Sequence, residues 1–262
     1  MGKGLLRVLI GLAALGFTPQ DNDPIRRPPQ GLAVSAFYEK YLDAKGIPVL
    51  GSPKVPDRAL REARDIVVRM VSMRPDVLKA MIGNGTRVAV MAETEVTTDI
   101  PEHRDLNEAF PGRDWNRRCR GVGGTNERPV CSAAEENLLG YASDRYHGEN
   151  ILVHEFGHTM YTMGIVDVDP EFGPGLAAAY RNALAQGLWK DTYAASNADE
   201  YWAEGVQDWF DTNLSAKPPN GIHNEIHTRD QLKKYDPTLA ALLAKVFPDD
   251  SWRYPYPKKP LK

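Results

Sequence analysis

Two histidines and a glutamate near the middle of the chain have a spacing that suits metal chemistry. They form the pattern His154-Glu155-x-x-His158 inside the segment 148–164, GENILVHEFGHTMYTMG. Residues four apart in an α-helix lie one above the other on the same face, so both imidazoles can bind one metal ion. Glu155 then lies beside that ion, where a carboxylate can act as a general base. The pattern predicts a zinc-dependent hydrolase with His154 and His158 as ligands.

The residues around this motif favour a buried helix over two surface histidines on an ordinary helix. Gly164 suits the position just after a helix end. Unpaired polar side chains are costly in an apolar interior, so buried histidines need partners such as a metal ion. The apolar residues that indicate burial are Ile151, Leu152, Val153, Phe156 and Met160.

A catalytic zinc site usually has three protein ligands and one water, so the chain must supply a third ligand. The metzincin pattern would need glycine at position 161 and histidine at position 164. The chain has Tyr161 and Gly164 there, which excludes that class. Asp167 or Asp169, shortly after the helix, is one alternative. The favoured third ligand is Glu200, in the next strongly amphipathic segment.

Glu200 belongs to a helix that we predict from about residue 197 to residue 211. Glu204 lies one helical turn further on the same face. With Glu200 on the metal, Glu204 can accept a hydrogen bond from the far nitrogen of a ligand histidine and so fix its tautomer. A solvated acidic stripe is the alternative, and large apolar neighbours argue against it. These neighbours are Tyr201, Trp202, Trp209 and Phe210.

At this point the sequence resembles a known family. The pattern HEFGH, followed about forty residues later by Y-x6-E-(aromatic)2-A-E, is similar to the catalytic domain of anthrax toxin lethal factor. Its relatives are the Pro-Pro endopeptidases and, more distantly, Mlc titration factor, all zinc peptidases with a glutamate ligand (gluzincins). The resemblance covers 148–210, about a quarter of the chain.

The resemblance implies a metalloendopeptidase that acts on a protein or peptide substrate. It implies a role for each matching residue: His154, His158 and Glu200 as zinc ligands, Glu155 as general base, and Tyr193 as the tyrosine that hydrogen-bonds the oxyanion. Residues 32–147 do not align to the family motif by motif. The proline-flanked cleavage sites of those relatives are therefore not transferred.

The N-terminus predicts an exported protein. Residues 1–17 place Lys3 and Arg7 ahead of an apolar run over 8–17, which is too short to cross a bilayer. A secretory signal peptide is favoured over a membrane anchor or a buried helix, and it implies an extracellular or periplasmic location. Residues 18–31, rich in proline and charge, are predicted to be a linker, and 32–262 one catalytic domain.

Charge and composition exclude other partner classes. Removal of the signal takes the formal charge from −3 to −5, so nothing suggests nucleic acid as a partner. No segment after the signal is long and apolar enough to cross a membrane, so we expect no membrane contact. Cys119 and Cys131, with eleven residues between them, are predicted to form one disulfide if the chain is exported, and to be free thiols if it is not.

The pattern of elements predicts an α+β, zincin-like fold: a small twisted sheet, the metal helix and a mostly helical C-terminal half. The segment 128–132, a strand just before the metal helix, is the candidate rim of the substrate cleft. The segments 47–56 and 93–124 are expected to be loops. Predicted helices cover 32–45, 57–73, 75–82, 176–186 and 237–246, and the clearest strand is 86–92.

Three further hypotheses remain open at this stage. The same zinc chemistry would permit hydrolysis of a non-peptide amide, such as a cell-wall cross-link. A secreted binding protein could retain the fold without turnover, although an intact Glu155 argues against it. His223, Glu225 and His227 could hold a second metal ion, but they follow an Asn-Gly turn and are expected in a solvated loop.

Overall fold

A mixed five-stranded sheet forms the N-terminal part of the computed structural model, which describes residues 23–254. The spatial order of the strands is β1-β2-β3-β5-β4. Strands β2, β3 and β5 run parallel, while β1 and β4 pair antiparallel at the two edges. The strands are β1 (Lys40–Ala44), β2 (Ile47–Gly51), β3 (Arg87–Met91), β4 (Gly121–Val122) and β5 (Val130–Ala134).

Helices cover the sheet and make up the C-terminal half. The α-helices are α1 (Asp57–Met70), α2 (Pro75–Gly83), α3 (Leu106–Ala109), α4 (Trp115–Arg118), α5 (Glu135–Leu139), α6 (Ile151–Met160), α7 (Val166–Val168), α8 (Phe172–Ala185), α9 (Ala198–Trp209), α10 (Arg229–Tyr235) and α11 (Pro237–Ala244). Short 3-10 turns cover Thr97–Asp99, Pro101–His103 and Tyr193–Ala195. The molecule is thus α+β with a small mixed sheet, and one large apolar cluster connects the sheet to α6, α8, α9 and α11.

The segment predicted as a helix over 32–45 contains the first strand instead. Lys45 and Gly46 both have positive φ, 55° and 94°, as a tight hairpin turn requires. The chain therefore reverses at this point, and β1 pairs with β2, which lies in the predicted loop 47–56. Leu42 and Ala44 are buried while Asp43 is exposed, so the period of two decided the outcome over so short a segment.

The metal-motif helix α6 begins at Ile151 and does not stop at Gly164. The Asn150 side chain caps it by accepting a hydrogen bond from the Val153 N–H. The chain then continues through a π-helical turn, Tyr161–Ile165, into α7. An added Cβ at Gly164 would lie 2.7 Å from Val77 Cγ1, so this glycine lets α2 approach the turn.

The rim of the cleft is not the strand predicted over 128–132. That segment becomes β5, an inner strand between β3 and β4. The sheet edge beside α6 is β4, which lies inside the predicted loop 93–124. This strand was not predicted because it is short and rich in glycine, so it lacks the alternating side chains that indicate a strand.

The predicted disulfide is absent, and Cys119 and Cys131 are free thiols. In the register of β4 and β5, Gly121 faces Ala133. Each cysteine lies two residues before one of these partners, and antiparallel strands run in opposite directions. The offset is four residues, or about 13 Å along a strand, well beyond the reach of a disulfide.

The described residues include only the last part of the predicted linker and none of the predicted signal peptide. The signal peptide over 1–17 and the first part of the linker lie outside the described range. Within that range, Arg26 of the predicted linker exchanges two backbone hydrogen bonds with Tyr41 of β1. No helix among residues 23–254 has the length and apolar character needed to cross a membrane.

Candidate metal centre

Helix α6 holds His154 and His158 on one face, one turn apart. Their Nε2 atoms lie 3.2 Å from each other. His154 is buried, and His158 is half-buried at the cleft. The apolar side of α6 packs into the core and fixes the direction in which both imidazoles point.

Helix α9 brings Glu200 to the same point. Its first turn is capped by Asn197, whose side chain accepts hydrogen bonds from the Asp199 and Glu200 N–H groups. α9 can approach α6 closely because Gly157 faces Val206, where an added Cβ would lie 3.3 Å from three carbon atoms. Glu200 Oε2 consequently lies 3.2 Å from the Nε2 atom of each histidine.

These three side chains fit a tetrahedral metal ion. Ligands about 2.0–2.1 Å from a tetrahedral zinc ion lie about 3.3–3.4 Å from one another. The three observed separations between ligand atoms are each 3.2 Å, close to that edge length. Two imidazoles and one carboxylate are also the donor set found in many catalytic zinc sites.

Within residues 23–254, His154, His158 and Glu200 form the group of three or more His, Cys, Asp or Glu side chains that could hold one metal ion. The alternative ligands Asp167 and Asp169 do not join it, and the Asp167 carboxylate accepts a hydrogen bond from Asn84 instead. The alternative second site over 223–227 also lacks such a cluster: His223 Nε2 lies 3.2 Å from Glu149, and His227 Nδ1 contacts a backbone carbonyl.

The far nitrogen of His154 has two acceptors. Gln207 Oε1 lies 2.8 Å from Nδ1, and Glu204 Oε1 lies 3.4 Å from it. A proton on Nδ1 leaves the lone pair of Nε2 directed at the metal position. Glu204 lies where the sequence pattern put it, but the shorter contact is made by Gln207. The sequence does contain a signal for Gln207, because positions 200, 204 and 207 share one face of a helix.

The electrostatics of the centre favour a positive charge. Burial lowers the pKa of His154, but hydrogen bonds with Glu200 and Glu204 more than reverse this and hold it well above its ordinary value. Burial raises the pKa of Glu200, yet its hydrogen bonds with His154 and His158 hold it far below the ordinary value. A metal cation between these groups would pair with the Glu200 carboxylate and would take the place of the proton on the histidines.

Glu155 lies between α6 and a backbone segment that we call the glycine wall, residues 121–124. An added Cβ would lie 2.6 Å from Ile151 Cγ2 at Gly121 and 3.0 Å from His158 Cβ at Gly123. Only glycine allows the chain to pass this close to α6. Burial raises the pKa of Glu155, while the two histidines lower it.

Tyr193 completes the group of side chains around the centre. Its hydroxyl donates a hydrogen bond to Glu200 Oε1 at 2.9 Å. Burial and the negative charge of Glu200 raise the Tyr193 pKa, so the hydroxyl keeps its proton. The Tyr193 N–H donates to the Ile222 carbonyl at 2.8 Å, a contact between distant segments that no sequence pattern indicated.

A cleft of about 620 Å³ opens over these residues. It is lined by His154, His158, Glu200, Glu155, Tyr193, the glycine wall and several side chains to which no sequence pattern gave a role. The latter include Arg113, Trp115, Arg118, Tyr146, Thr162, Asn197 and Ile222. Cys119 also lines the cleft, and burial raises its pKa to about 11.

Comparisons with known proteins support the fold. Neither a family model nor a curated protein matches the sequence. Among solved structures, the chain is similar to the Pro-Pro endopeptidase PPEP-2 from Paenibacillus alvei, with a TM-score of 0.50 and 20% sequence identity. The match covers 76% of this chain and 97% of that one. The chain therefore has a fold similar to that of PPEP-2.

Proposed function

We propose that this protein is a zinc-dependent peptidase with His154, His158 and Glu200 as its metal ligands. The observation that carries the proposal is the set of three ligand-atom separations of 3.2 Å, with Glu155 beside them at an open cleft. The fold shared with a Pro-Pro endopeptidase supports it. Zinc bound at this site would act as a Lewis acid and lower the pKa of its bound water to about 7.

Glu155 is the general base in this proposal. Its carboxylate takes a proton from the attacking water and later delivers it to the leaving amine. Burial raises its pKa towards the range in which a carboxyl group can both accept and return a proton. The glycine wall lies directly against Glu155: an added Cβ would lie 3.1 Å from Glu155 Cγ at Gly121 and 3.4 Å from Glu155 Oε2 at Gly123.

Tyr193 stabilises the oxyanion that forms on the scissile carbonyl. Its hydroxyl is a donor, since its raised pKa keeps it protonated, and it lies within hydrogen-bonding distance of the ligand Glu200. Loss of one such donor typically lowers turnover about 100- to 1000-fold. In the absence of substrate, Glu200 Oε1 accepts the hydrogen bond that the oxyanion would receive.

The substrate is an extended peptide that pairs with β4. β4 pairs with β5 on one side, and its other side lines the cleft beside the metal ligands. The backbone N–H and C=O groups of a sheet edge can add a peptide strand through main-chain hydrogen bonds. This mode of binding places a peptide carbonyl next to the catalytic groups without requiring a particular side chain.

The decisive experiment combines metal analysis with digestion assays. The purified chain should contain one zinc per molecule and cleave an unfolded protein or a peptide library that includes a Pro-Pro bond. Glu155→Gln should retain zinc and lower hydrolysis by at least about 100-fold, the usual worth of a general base. Unchanged hydrolysis in this variant would exclude the mechanism, and activity on cell-wall polymer alone would favour the amidohydrolase alternative.

The proposal includes export of the chain. It rests on the N-terminal sequence, with two basic residues before a short apolar run. Mass spectrometry of protein recovered from outside the cell should show an N-terminus close to residue 18. Intact protein that remains inside the producing cell would contradict export while leaving the metal chemistry unaffected.

A further inference from the structure

Ile222 is an exposed apolar side chain in the cleft. About half of it, 51%, is accessible to solvent, the largest exposed fraction among the large hydrophobic residues described. Removal of apolar surface from water is favourable, so an exposed apolar side chain inside a cleft can contribute to ligand binding. Ile222 lines the same cleft as His154, His158 and Glu200, so a substrate bound in this cleft would cover it.

Several hydrogen bonds hold Ile222 in this position. Its N–H and that of His223 both donate to Asn220 Oδ1, at 3.0 and 2.8 Å. Its carbonyl accepts the N–H of Tyr193. The neighbouring His223 is buried, and its Nε2 lies 3.2 Å from a carboxylate oxygen of Glu149. A side chain presented from a backbone fixed at both ends can form a defined subsite.

The contacts of the loop place Ile222 at the N-terminal end of α6. Glu149, to which His223 is joined, immediately precedes that helix. The glycine wall gives the cleft a direction: Gly121 lies against Ile151 near the start of α6, and Gly124 lies against Thr159 near its end. β4 therefore runs along α6 from the end where Ile222 lies towards the other end.

The direction of β4 predicts the direction of the substrate. An antiparallel pair is slightly more stable per residue than a parallel pair, and it is two to three times as common. A peptide antiparallel to β4 passes from the Thr159 end to the Ile151 end. The residues that follow the scissile bond then lie at the end that holds Ile222.

The two ends of the cleft also differ in polarity. The end near Ile222 includes the apolar Ile151, the ring of Tyr146 and Glu149, whose carboxylate is paired with His223. The opposite end includes Thr162 and Asp199, whose charge acts on Tyr161 at the start of the π-helical turn. The apolar side chains that the substrate can contact near Ile222 favour an apolar substrate side chain at this end.

We propose that Ile222 forms an apolar subsite for the first residues after the scissile bond, so that the enzyme cleaves before apolar residues. The proposal rests on the peptidase function proposed above and adds to it the class of substrate. Ile222 is a specificity residue here, since it contacts the substrate but takes no part in bond cleavage.

The test compares paired peptides that differ by leucine or serine at the first or second position after the cut. Wild-type protein should have the higher kcat/KM on the leucine peptide at one of these positions. Ile222→Ser should reduce the leucine-to-serine ratio about tenfold, a typical loss for an apolar contact in a specificity pocket. Ile222→Leu should keep the ratio. Ile82→Ser, at an exposed isoleucine of α2 outside the cleft, is the matched control.

An unchanged ratio in Ile222→Ser, or an apolar preference before the cut, would overturn the subsite while leaving the peptidase function intact. If wild-type protein cleaves no peptide, the peptidase function fails. The subsite is then decided by fluorescence anisotropy of the labelled peptides on zinc-loaded Glu155→Gln protein. Tighter leucine binding that Ile222→Ser abolishes supports the subsite, and equal binding of the two peptides refutes it.

Discussion

The two walls of the cleft differ in what they present to it, one presenting side chains and the other backbone. The wall formed by α9 presents side chains: Glu200 at the metal position, with Glu204 and Gln207 behind His154. The glycine wall presents backbone, since residues such as Gly121 and Gly123 have no room for a Cβ. In the proposed enzyme, side chains would therefore position the metal and main chain would position the substrate.

Behind the wall formed by α9 lies a deeper layer of buried polar side chains. Asn213 donates hydrogen bonds to Glu204 and Asp208, at 3.1 and 3.0 Å. Asp208 is buried, and one of its carboxylate oxygens has no hydrogen-bond partner among the described residues. Burial, followed by the charge of Glu204, raises the Asp208 pKa well above its ordinary value. This layer fixes Glu204 at the cost of a buried acid.

The largest expected effect is on the α9 side. Glu200→Ala removes one of three ligands, and the protein should lose its zinc, as measured by atomic absorption after dialysis. Glu225→Ala is the control: this exposed glutamate belongs to the alternative second site, and its loss should leave one zinc per chain. Zinc retained at full occupancy in Glu200→Ala would show that the α9 wall does not supply a metal ligand.

The next effect sharpens the role of the layer behind His154. Gln207→Leu removes the closer acceptor and should weaken zinc affinity about 10- to 100-fold, measured by competition with a chromophoric chelator. Glu204→Leu is the matched comparison and should cost less, because its oxygen is 3.4 Å away while that of Gln207 is 2.8 Å away. The reverse order would make Glu204 the orienting residue, as the sequence alone suggested.

A smaller effect is expected from the glycine wall. A methyl group at Gly121 would lie 2.6 Å from Ile151 Cγ2 and 3.0 Å from the Ser132 carbonyl oxygen. Gly121→Ala should therefore lower the free energy of unfolding by about 1–3 kcal/mol and reduce peptide hydrolysis, while zinc is retained.

Gly175→Ala, in α8 with open space around it, is the control for the glycine wall. It should stabilise the protein slightly, because alanine is the better helix former. Urea denaturation and zinc analysis of both variants make the comparison. Loss of zinc in Gly121→Ala would show that the two walls are not independent.

The smallest effect concerns the pH dependence of stability. Asp208 keeps its proton in the folded state at a pH where an unfolded aspartate, with a pKa of about 3.9, has lost it. The stability that this group contributes is complete below about pH 4 and declines as the pH rises towards the folded pKa. Asp208→Asn removes this decline, so its Tm should exceed that of wild type by about 2–4 °C at pH 7 and by less at pH 4.

Asp199→Asn is the control for Asp208→Asn, because Asp199 is an exposed aspartate in the first turn of the same helix. It should give no gain in Tm at either pH. A pH profile of Tm that is identical for wild type and Asp208→Asn would show that Asp208 is already ionised in the folded protein.

The sequence predicted best what depends on a strong local period. The helices over 57–73 and 75–82, the strand over 86–92 and the helix that carries Glu200 are confirmed as α1, α2, β3 and α9. The structure also brings Glu200 to the two histidines, although no local pattern determines the packing of α9 on α6.

The misses have two kinds of physical cause, local turn geometry and tertiary contacts. The hairpin of β1 and β2 depends on two residues with positive φ, and the π-helical turn depends on close packing of α2 against Gly164. β4 has almost no side-chain pattern, and its register with β5 is what separates the two cysteines. The position of Ile222 depends in part on a hydrogen bond from Tyr193, which is distant in sequence.

The shortness of β4 has a consequence for the rigidity of the cleft. Only two residue pairs join it to β5, and the Gly124 N–H is held by the Thr159 hydroxyl at 2.8 Å. The Gly124 carbonyl also accepts a hydrogen bond from the Thr162 hydroxyl at 2.9 Å, so side chains hold the wall at Gly124 while the other edge of β4 has no strand beside it within the described range. A peptide that pairs with it would supply the missing ladder, so the substrate itself would stiffen the wall against which it is cut.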